Sequence, residues 1–194
     1  MRLNEITKFP EESDNESLTA HISRGGIIIW RNYISDELCD RMRRYLESVS
    51  RGSLPNYQAI DNGAPNFHRI NDADDRSTVI GRFQQFSFFP WNADPLRLFK
   101  TFGPLFQLKN ILSGNSPDSF MGSDSWASVV PRLSFQYYPA GGGYLNAHSD
   151  PKNRFQVTVP TVTLTERGSD FSEGGAWVEL DGKKVFTDDL GSKG

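Results

Sequence analysis

Cysteine, histidine and long apolar runs are all scarce in this chain of 194 residues. The one cysteine, Cys39, excludes an internal disulfide and favours a reducing compartment. No stretch approaches the ~20 apolar residues that a membrane-spanning helix needs. Residues 1–17 contain no apolar run of the kind found in a secretory signal. The formal net charge of −3 indicates no basic surface for nucleic acid. We therefore expect a cytoplasmic protein that binds neither a membrane nor nucleic acid.

The composition is typical of a folded globular chain. Hydrophobic residues make up 37% of the sequence and charged residues 23%, which favours a folded protein over a disordered one. The length suits one domain with a substantial core. We expect one domain over residues 1–194, composed of a loosely held N-terminal arm (1–23), a helical and mixed part (24–125) and a β-rich core (126–194).

Two segments in the first half carry helix signals. Ser35 can cap the first amides of a helix that Gly52 ends. A second helical pattern covers residues 94–112, where Pro104 should kink or divide the helix. Cys39 lies within the first helix, and no histidine or other cysteine is near it in sequence. Packing is therefore a simpler interpretation of Cys39 than a reactive thiol.

Strand patterns alternate with loops elsewhere and dominate the second half. The predicted strands are Gly26–Arg31, Arg82–Phe89, Arg132–Tyr138, Phe155–Thr165, Ala176–Leu180 and Lys183–Thr187. Pro160 interrupts one of them and indicates an edge or a bulge, while Asp181-Gly182 is a hairpin turn signal. Helices followed by a run of antiparallel strands predict the α+β class.

A histidine and a carboxylate stand two residues apart at the end of the segment RLSFQYYPAGGGYLNAHSD, residues 132–150. Side chains two apart on an extended segment project to the same face. His148 and Asp150 can therefore occupy two adjacent corners of a small divalent cation. With a second histidine they would form the facial triad of non-haem iron(II) oxygenases.

The strand before this pair has one polar face. Arg132, Ser134, Gln136 and Tyr138 alternate with apolar residues, so this face must meet solvent or line a polar cavity. Buried polar side chains need partners, and a cosubstrate could supply them to Gln136 and Tyr138. An ordinary strand aromatic is an equally good interpretation of Tyr138. For Arg132, pairing with a surface carboxylate is the simpler interpretation.

Several features together resemble the 2-oxoglutarate- and iron(II)-dependent dioxygenases, particularly their prolyl-hydroxylase-like branch. They are a strand ending in Tyr138-Pro139, a glycine-rich turn, Tyr144, the His148-Ser149-Asp150 pair, the later Glu173-Gly174-Gly175 and the upstream NYISDELCDRM. The resemblance implies a double-stranded β-helix (jelly roll) with N-terminal helices packed on it. It implies that His148 and Asp150 bind Fe(II), and that Tyr138 and Thr163 contact 2-oxoglutarate.

The activity implied by this resemblance is hydroxylation of a C–H bond. The substrate would be a small molecule or an amino-acid residue, molecular oxygen would be the oxidant, and 2-oxoglutarate would be decarboxylated to succinate. The substrate's identity and the oligomeric state stay open. One alternative is a non-catalytic, cupin-like jelly-roll module that binds a ligand or partner.

The pattern departs from the family near its end. The family places a distal histidine, and then a basic residue that pairs with 2-oxoglutarate, after the position of Glu173-Gly174-Gly175. No histidine follows that position here, so this ordered pair is missing. His21 and His68 lie upstream and are interpreted as surface or packing residues. We therefore expect a truncated copy of a longer protein, with an incomplete jelly roll and weak iron binding. An inactive fragment is the further alternative.

Overall fold

The computed structural model describes residues 3–52, 81–120, 130–150, 152–153, 156–191 and 193–194. Over these ranges the chain is mixed α and β. The helices are α1 (Asn15–Ser23), α2 (Asp36–Gly52) and α3 (Leu98–Leu112). The strands are β1 (Leu3–Ile6), β2 (Ile27–Trp30), β3 (Gly81–Arg82), β4 (Gln84–Phe88), β5 (Leu133–Tyr137), β6 (Tyr144–Leu145), β7 (Trp177–Leu180) and β8 (Lys183–Phe186). These described strands pair into four two-stranded sheets.

The chain divides into two compact units. The first unit contains the described residues of Met1–Arg43, Gly103–Ser119 and Lys152–Gly194, and the second contains those of Arg44–Phe102 and Phe120–Pro151. Helices α2 and α3 each contribute residues to both units.

The first unit is built on a parallel pair of strands. Strand β1 pairs with β2 from Leu3 opposite Ile27 to Ile6 opposite Trp30. Leu18 of α1 is 3% exposed and packs with Leu108 and Leu112 of α3. Partly buried side chains complete this core: Ile6, Ile22, Ile28, Trp30 and Val157. Residues 3–23, expected as a loosely held arm, thus form β1 and α1 in the structure.

Arg31 connects the β1–β2 pair to the C-terminal segment of the first unit. Its guanidinium donates hydrogen bonds to the carbonyls of Leu190 and Gly191 and to the carboxylate of Glu5. The contact with Glu5 is 2.7 Å long, and this hydrogen bond lowers the pKa of the Glu5 carboxyl. One side chain therefore holds two parts of the chain that are distant in sequence.

The predicted hairpin near the C-terminus is present as β7 and β8. Trp177 lies opposite Phe186 and Leu180 opposite Lys183. Both turn residues, Asp181 and Gly182, have positive φ angles, of 50° and 74°. That combination is typical of the type I′ turn, whose twist matches a two-residue hairpin.

The predicted strand Phe155–Thr165 is wrong over its described part. Residues 156–165 contain no named strand, and their bridges are isolated ones at Gln156 and Thr163. Pro160 removes an amide donor from the middle of this segment. The β-branched residues give strand propensity, but a strand also needs a partner along its length.

The second unit contains two antiparallel pairs. Strand β4 pairs with β5 from Gln84 opposite Tyr137 to Phe88 opposite Leu133, and β3 pairs with β6. Phe83 and Phe86 are 3% and 4% exposed, and Leu46 of α2 is 5% exposed. Ser50 of α2 donates a hydrogen bond to the side chain of Gln84.

Helix caps explain where α2 and α3 begin. The predicted cap of α2 is confirmed, because the Leu38 amide donates to Ser35 Oγ at 3.3 Å. Helix α3 begins at Leu98, later than predicted. The carboxylate of Asp94 accepts the amides of Leu98 and Phe99 at 2.7 and 3.1 Å, so it lies before the helix as a cap. Helix α3 continues through Pro104, so of the two predicted effects the division is wrong and the kink stays a prediction.

Candidate functional site

A tight glycine-rich turn carries the chain from β5 towards the candidate ligands. The Gly143 amide donates to the Pro139 carbonyl at 2.8 Å. Gly141 has a φ of 78°, in the left-handed region that favours glycine. A Cβ on Gly143 would lie 2.6 Å from Pro139 N, so no larger residue fits without movement of the backbone.

Strand β6 ends at Leu145, before the candidate ligands. His148 and Asp150 therefore follow the strand in an irregular segment, rather than standing on it. The pair is nevertheless convergent, because His148 Nε2 lies 3.6 Å from Asp150 Oδ1. The side chains are 30% and 55% exposed, respectively. An entering cation would thus reach the pair from solvent.

The contacts of the His148 ring define its proton positions. Its Nδ1 lies 2.9 Å from the carbonyl oxygen of Asn146. A carbonyl only accepts, so Nδ1 carries a hydrogen, and in the neutral ring Nε2 then presents its lone pair. That lone pair faces the oxygen of Asp150, which also accepts when ionised. Both groups are open to solvent, and a metal ion placed between them could bond to the Nε2 lone pair and to the carboxylate together.

The donor set fits a divalent metal ion. Two nitrogen or oxygen ligands about 2.1 Å from a metal, at 90–110° to one another, lie about 3.0–3.5 Å apart. The separation of 3.6 Å between His148 and Asp150 is just outside this range, so a small rotamer adjustment suffices. A carbonyl acceptor on the far ring nitrogen, here from Asn146, is also the usual second contact of a metal-binding histidine.

No third ligand is found in the described part of the chain. Within those ranges, no group of three or more histidine, cysteine, aspartate and glutamate side chains could hold a metal ion. His21, in the first unit, lies with its Nε2 3.0 Å from the Ile27 carbonyl. His68 falls outside the described residues.

Tyr138 and Gln136 are in direct contact. The hydroxyl of Tyr138 donates to Gln136 Oε1 at 2.9 Å, and its ring packs against Phe83 with centroids 5.5 Å apart. Desolvation raises the pKa of Tyr138 to about 12. Like an ordinary tyrosine, it is protonated at neutral pH and can act as a donor.

Thr163 belongs to the first unit. Its carbonyl accepts the Gly194 amide at 3.1 Å and lies 3.9 Å from the sulfur of Cys39. The predicted contact between Thr163 and 2-oxoglutarate stays a prediction from the family resemblance.

Two polar residues that the sequence interpretation did not single out lie beside Gln136. Gln85 is directly opposite Gln136, and Ser87 is opposite Ser134. Gln85 and Ser87 are 5% and 1% exposed. The sequence signal that could have identified them is their spacing in RFQQFSFF, where Gln85 and Ser87 stand two residues apart in an aromatic strand. Arg132 is exposed, and the ion pairs among the described residues do not include it.

Comparison of the chain with protein-family models, curated proteins and solved structures finds no match. None of the helices in the described ranges has the length and apolar character required to cross a membrane.

Proposed function

We propose that this chain is an iron(II)- and 2-oxoglutarate-dependent oxygenase, with His148 and Asp150 as two of the metal's protein ligands. The single observation that supports the proposal most strongly is the environment of the His148 ring, whose two nitrogens both face oxygen acceptors. A metal ion beside Nε2 would bond to both the ring lone pair and the Asp150 carboxylate. The family resemblance, which covers about residues 132–187, favours iron among the metals that such donors bind.

Each residue of the proposed site has a distinct task. The Asn146 carbonyl holds the His148 ring in the tautomer that leaves Nε2 free for the metal. Asp150 supplies an anionic oxygen from the same side. Tyr138 supplies a phenol that remains neutral, and its contact with Gln136 orients that carboxamide. These two side chains are proposed to contact 2-oxoglutarate.

Bound iron(II) and 2-oxoglutarate would supply the oxygen-activating chemistry, in which the keto acid is decarboxylated to succinate and a substrate C–H bond is hydroxylated. The chain's own residues orient these groups and position the substrate carbon. The substrate is proposed to be a small molecule or an amino-acid residue. The fold proposed for the β-rich half is the double-stranded β-helix that this family uses.

Anaerobic titration with iron(II) and 2-oxoglutarate tests this function. Because only two protein ligands are assigned, we expect weak iron binding, with a visible metal-to-ligand charge-transfer band from the wild-type chain only at high iron(II) and 2-oxoglutarate concentrations. The band should be lost in His148→Ala and Asp150→Ala, because each variant removes a ligand. His21→Ala, in the first unit, is the matched control and should retain the band. Circular dichroism checks that each variant is folded.

Persistence of the band in His148→Ala would contradict the proposed ligand set. No band from wild type at saturating iron(II) and 2-oxoglutarate would contradict the oxygenase. Binding of a ligand without the band would then favour the non-catalytic jelly-roll module.

A further inference from the structure

The β7–β8 hairpin of the first unit carries two aromatic rings on one face. Trp177 and Phe186 lie directly opposite each other across the pair, so their side chains project to the same face. Glu179 and Lys184 form the next opposite pair on that face, because strand side chains repeat every second residue. Both rings are partly buried, whereas Glu179 and Lys184 are exposed. We call these four residues the aromatic face.

The ammonium of Lys184 lies over both rings of the aromatic face. Its Nζ is 4.5 Å from the ring centroid of Trp177 and 4.8 Å from that of Phe186. Both distances are within the range of about 6 Å over which a ring attracts a cation. Two aromatic rings around one ammonium are the contact by which proteins bind ammonium ligands. The side chain of Lys184 therefore occupies the position that such a ligand would take.

Lys184 can leave the rings at little cost. A cation–π contact on an exposed surface is weak, and holding a lysine side chain in one conformation costs entropy. The Glu179 carboxylate, directly opposite Lys184, has no ion-pair partner in the described part of the chain. A cross-strand pair with Glu179 is about as favourable as the contact with the rings. Movement of Lys184 to Glu179 would open both rings to another cation.

The chemistry of the two rings selects a quaternary ammonium group. The rings present a negative face but no strong hydrogen-bond acceptor, so they cannot satisfy the N–H donors of a primary ammonium. A quaternary ammonium has no such donor, and its methyl groups pack on aromatic carbon. Arg167 lies 4.7 Å from the Phe186 centroid, but its charge is paired with Asp189. Lys184 is therefore the cation with which a ligand would compete.

We propose that Trp177 and Phe186 form a binding site for a quaternary ammonium group, and that Lys184 covers this site when no ligand is bound. Two sources share this chemistry: a small choline-like compound and a trimethylated lysine side chain of another protein. The site uses no residue of the proposed oxygenase centre. Its test is therefore independent of the proposed function.

Ligand-observed NMR titration with choline tests the proposal, with 3,3-dimethylbutan-1-ol as the uncharged probe of the same shape. Lys184→Met removes the competing cation and keeps a long side chain, so it should tighten binding of choline about three- to tenfold relative to wild type. The uncharged probe should bind this variant at least about threefold more weakly than choline, because it lacks the cation–π attraction. Lys183→Met removes the same charge from the other face of the hairpin and should leave the Kd of choline unchanged.

Removal of one ring should reverse the gain. Trp177→Leu, made together with Lys184→Met, keeps an apolar side chain but removes the aromatic face of Trp177, and should return choline binding to the wild-type level or below. Circular dichroism checks that the double variant is folded. The comparison of Lys184→Met with Lys183→Met remains decisive if it is not, because misfolding does not produce tighter binding.

A second ligand separates the two sources. If N-acetyl-trimethyl-lysine amide binds more tightly than choline, the site is assigned to a protein side chain; equal or weaker binding assigns it to a small compound. The proposal is overturned if Lys184→Met and Lys183→Met bind choline alike, if the uncharged probe binds Lys184→Met as tightly as choline does, or if a folded Trp177→Leu double variant keeps the gain. None of these results affects the charge-transfer band that tests the oxygenase.

Discussion

Two tyrosine hydroxyls have raised pKa values. Tyr33 is half-buried, with its ring packed edge-on against Trp30 at a centroid separation of 4.7 Å. Desolvation raises the pKa of Tyr33 to about 12, as it does for Tyr138. The protonated phenol of Tyr138 donates to Gln136. His148 is likewise governed by its contacts, which force one ring hydrogen onto Nδ1.

Alkaline titration of tyrosine absorbance at 295 nm checks these two pKa values. The sequence contains six tyrosines, and we expect two of them to ionise in a late phase near pH 12. The amplitude of this phase should fall by one tyrosine in Tyr33→Phe and by one in Tyr138→Phe. In denaturant the late phase should merge with the phase near pH 10. A folded-state titration without a late phase would contradict the raised pKa values of both hydroxyls.

The raised pKa of Tyr33 predicts how the stability of the chain depends on pH. Below about pH 10 both the folded and unfolded chains keep the Tyr33 proton, so stability does not change through this group. Between about pH 10 and 12 the unfolded chain loses the proton and the folded chain retains it, so the free energy of unfolding falls as pH rises. Urea unfolding should show a shallower fall for Tyr33→Phe than for wild type.

The turn over residues 139–143 connects two elements of the second unit and determines where the segment after β6 begins. Its closure depends on the hydrogen bond from Gly143 to Pro139 and on the close approach of their backbones. Strands β5 and β6 are short, at five and two residues. A change in the backbone conformation of the turn would therefore displace His148.

Gly143→Ala and Gly142→Ala form a matched pair for this turn. A Cβ at Gly143 would lie 2.6 Å from Pro139 N, whereas one at Gly142 would lie 3.6 Å from the Arg82 side chain, an ordinary contact. We expect Gly143→Ala to reduce stability by about 1–3 kcal/mol, as overpacking does, and to weaken the charge-transfer band. Gly142→Ala should resemble wild type in denaturant unfolding. Equal effects of the two substitutions would show that the turn is not constrained as described.

Stability of the first unit is concentrated in a small apolar core that segments from distant parts of the sequence build together. Leu18, Leu108 and Val157 meet there although they are far apart in the chain. Cys39, also in this unit, is fully buried, and burial raises the pKa of its thiol. The sequence interpretation of Cys39 as a packing residue agrees with this burial.

Because the sequence has one cysteine, labelling with a thiol reagent reports opening of the first unit around Cys39. We expect labelling of the native chain to be far slower than in denaturant, since the buried thiol is shielded and protonated. Leu108→Ala should lower stability by about 2–5 kcal/mol and accelerate labelling. Val159→Ala, at a position that is 46% exposed, is the control and should change neither. Rapid labelling of the native wild-type chain would contradict the burial of Cys39.

Local signals in the sequence predicted local features well. Ser35 caps α2, the alternation after Arg132 forms β5, and Asp181-Gly182 forms the β7–β8 turn. Each depends on groups within a few residues of one another, so backbone sterics and short hydrogen bonds decide it. The predicted helix start at Asp94 is too early, because a carboxylate before a helix and one within its first turn look alike in sequence.

By itself the sequence determined the mixed α and β character, the turn chemistry and the spacing of His148 and Asp150, because each follows from neighbouring residues. Only the tertiary structure decided that β4 pairs with β5 in a register that aligns Ser87 with Ser134, and that residues 156–165 form no regular strand. It also decided which oxygens face the His148 ring. Strand register and side-chain convergence depend on contacts between distant segments, and a one-residue slip would move every side chain of a strand to the other face.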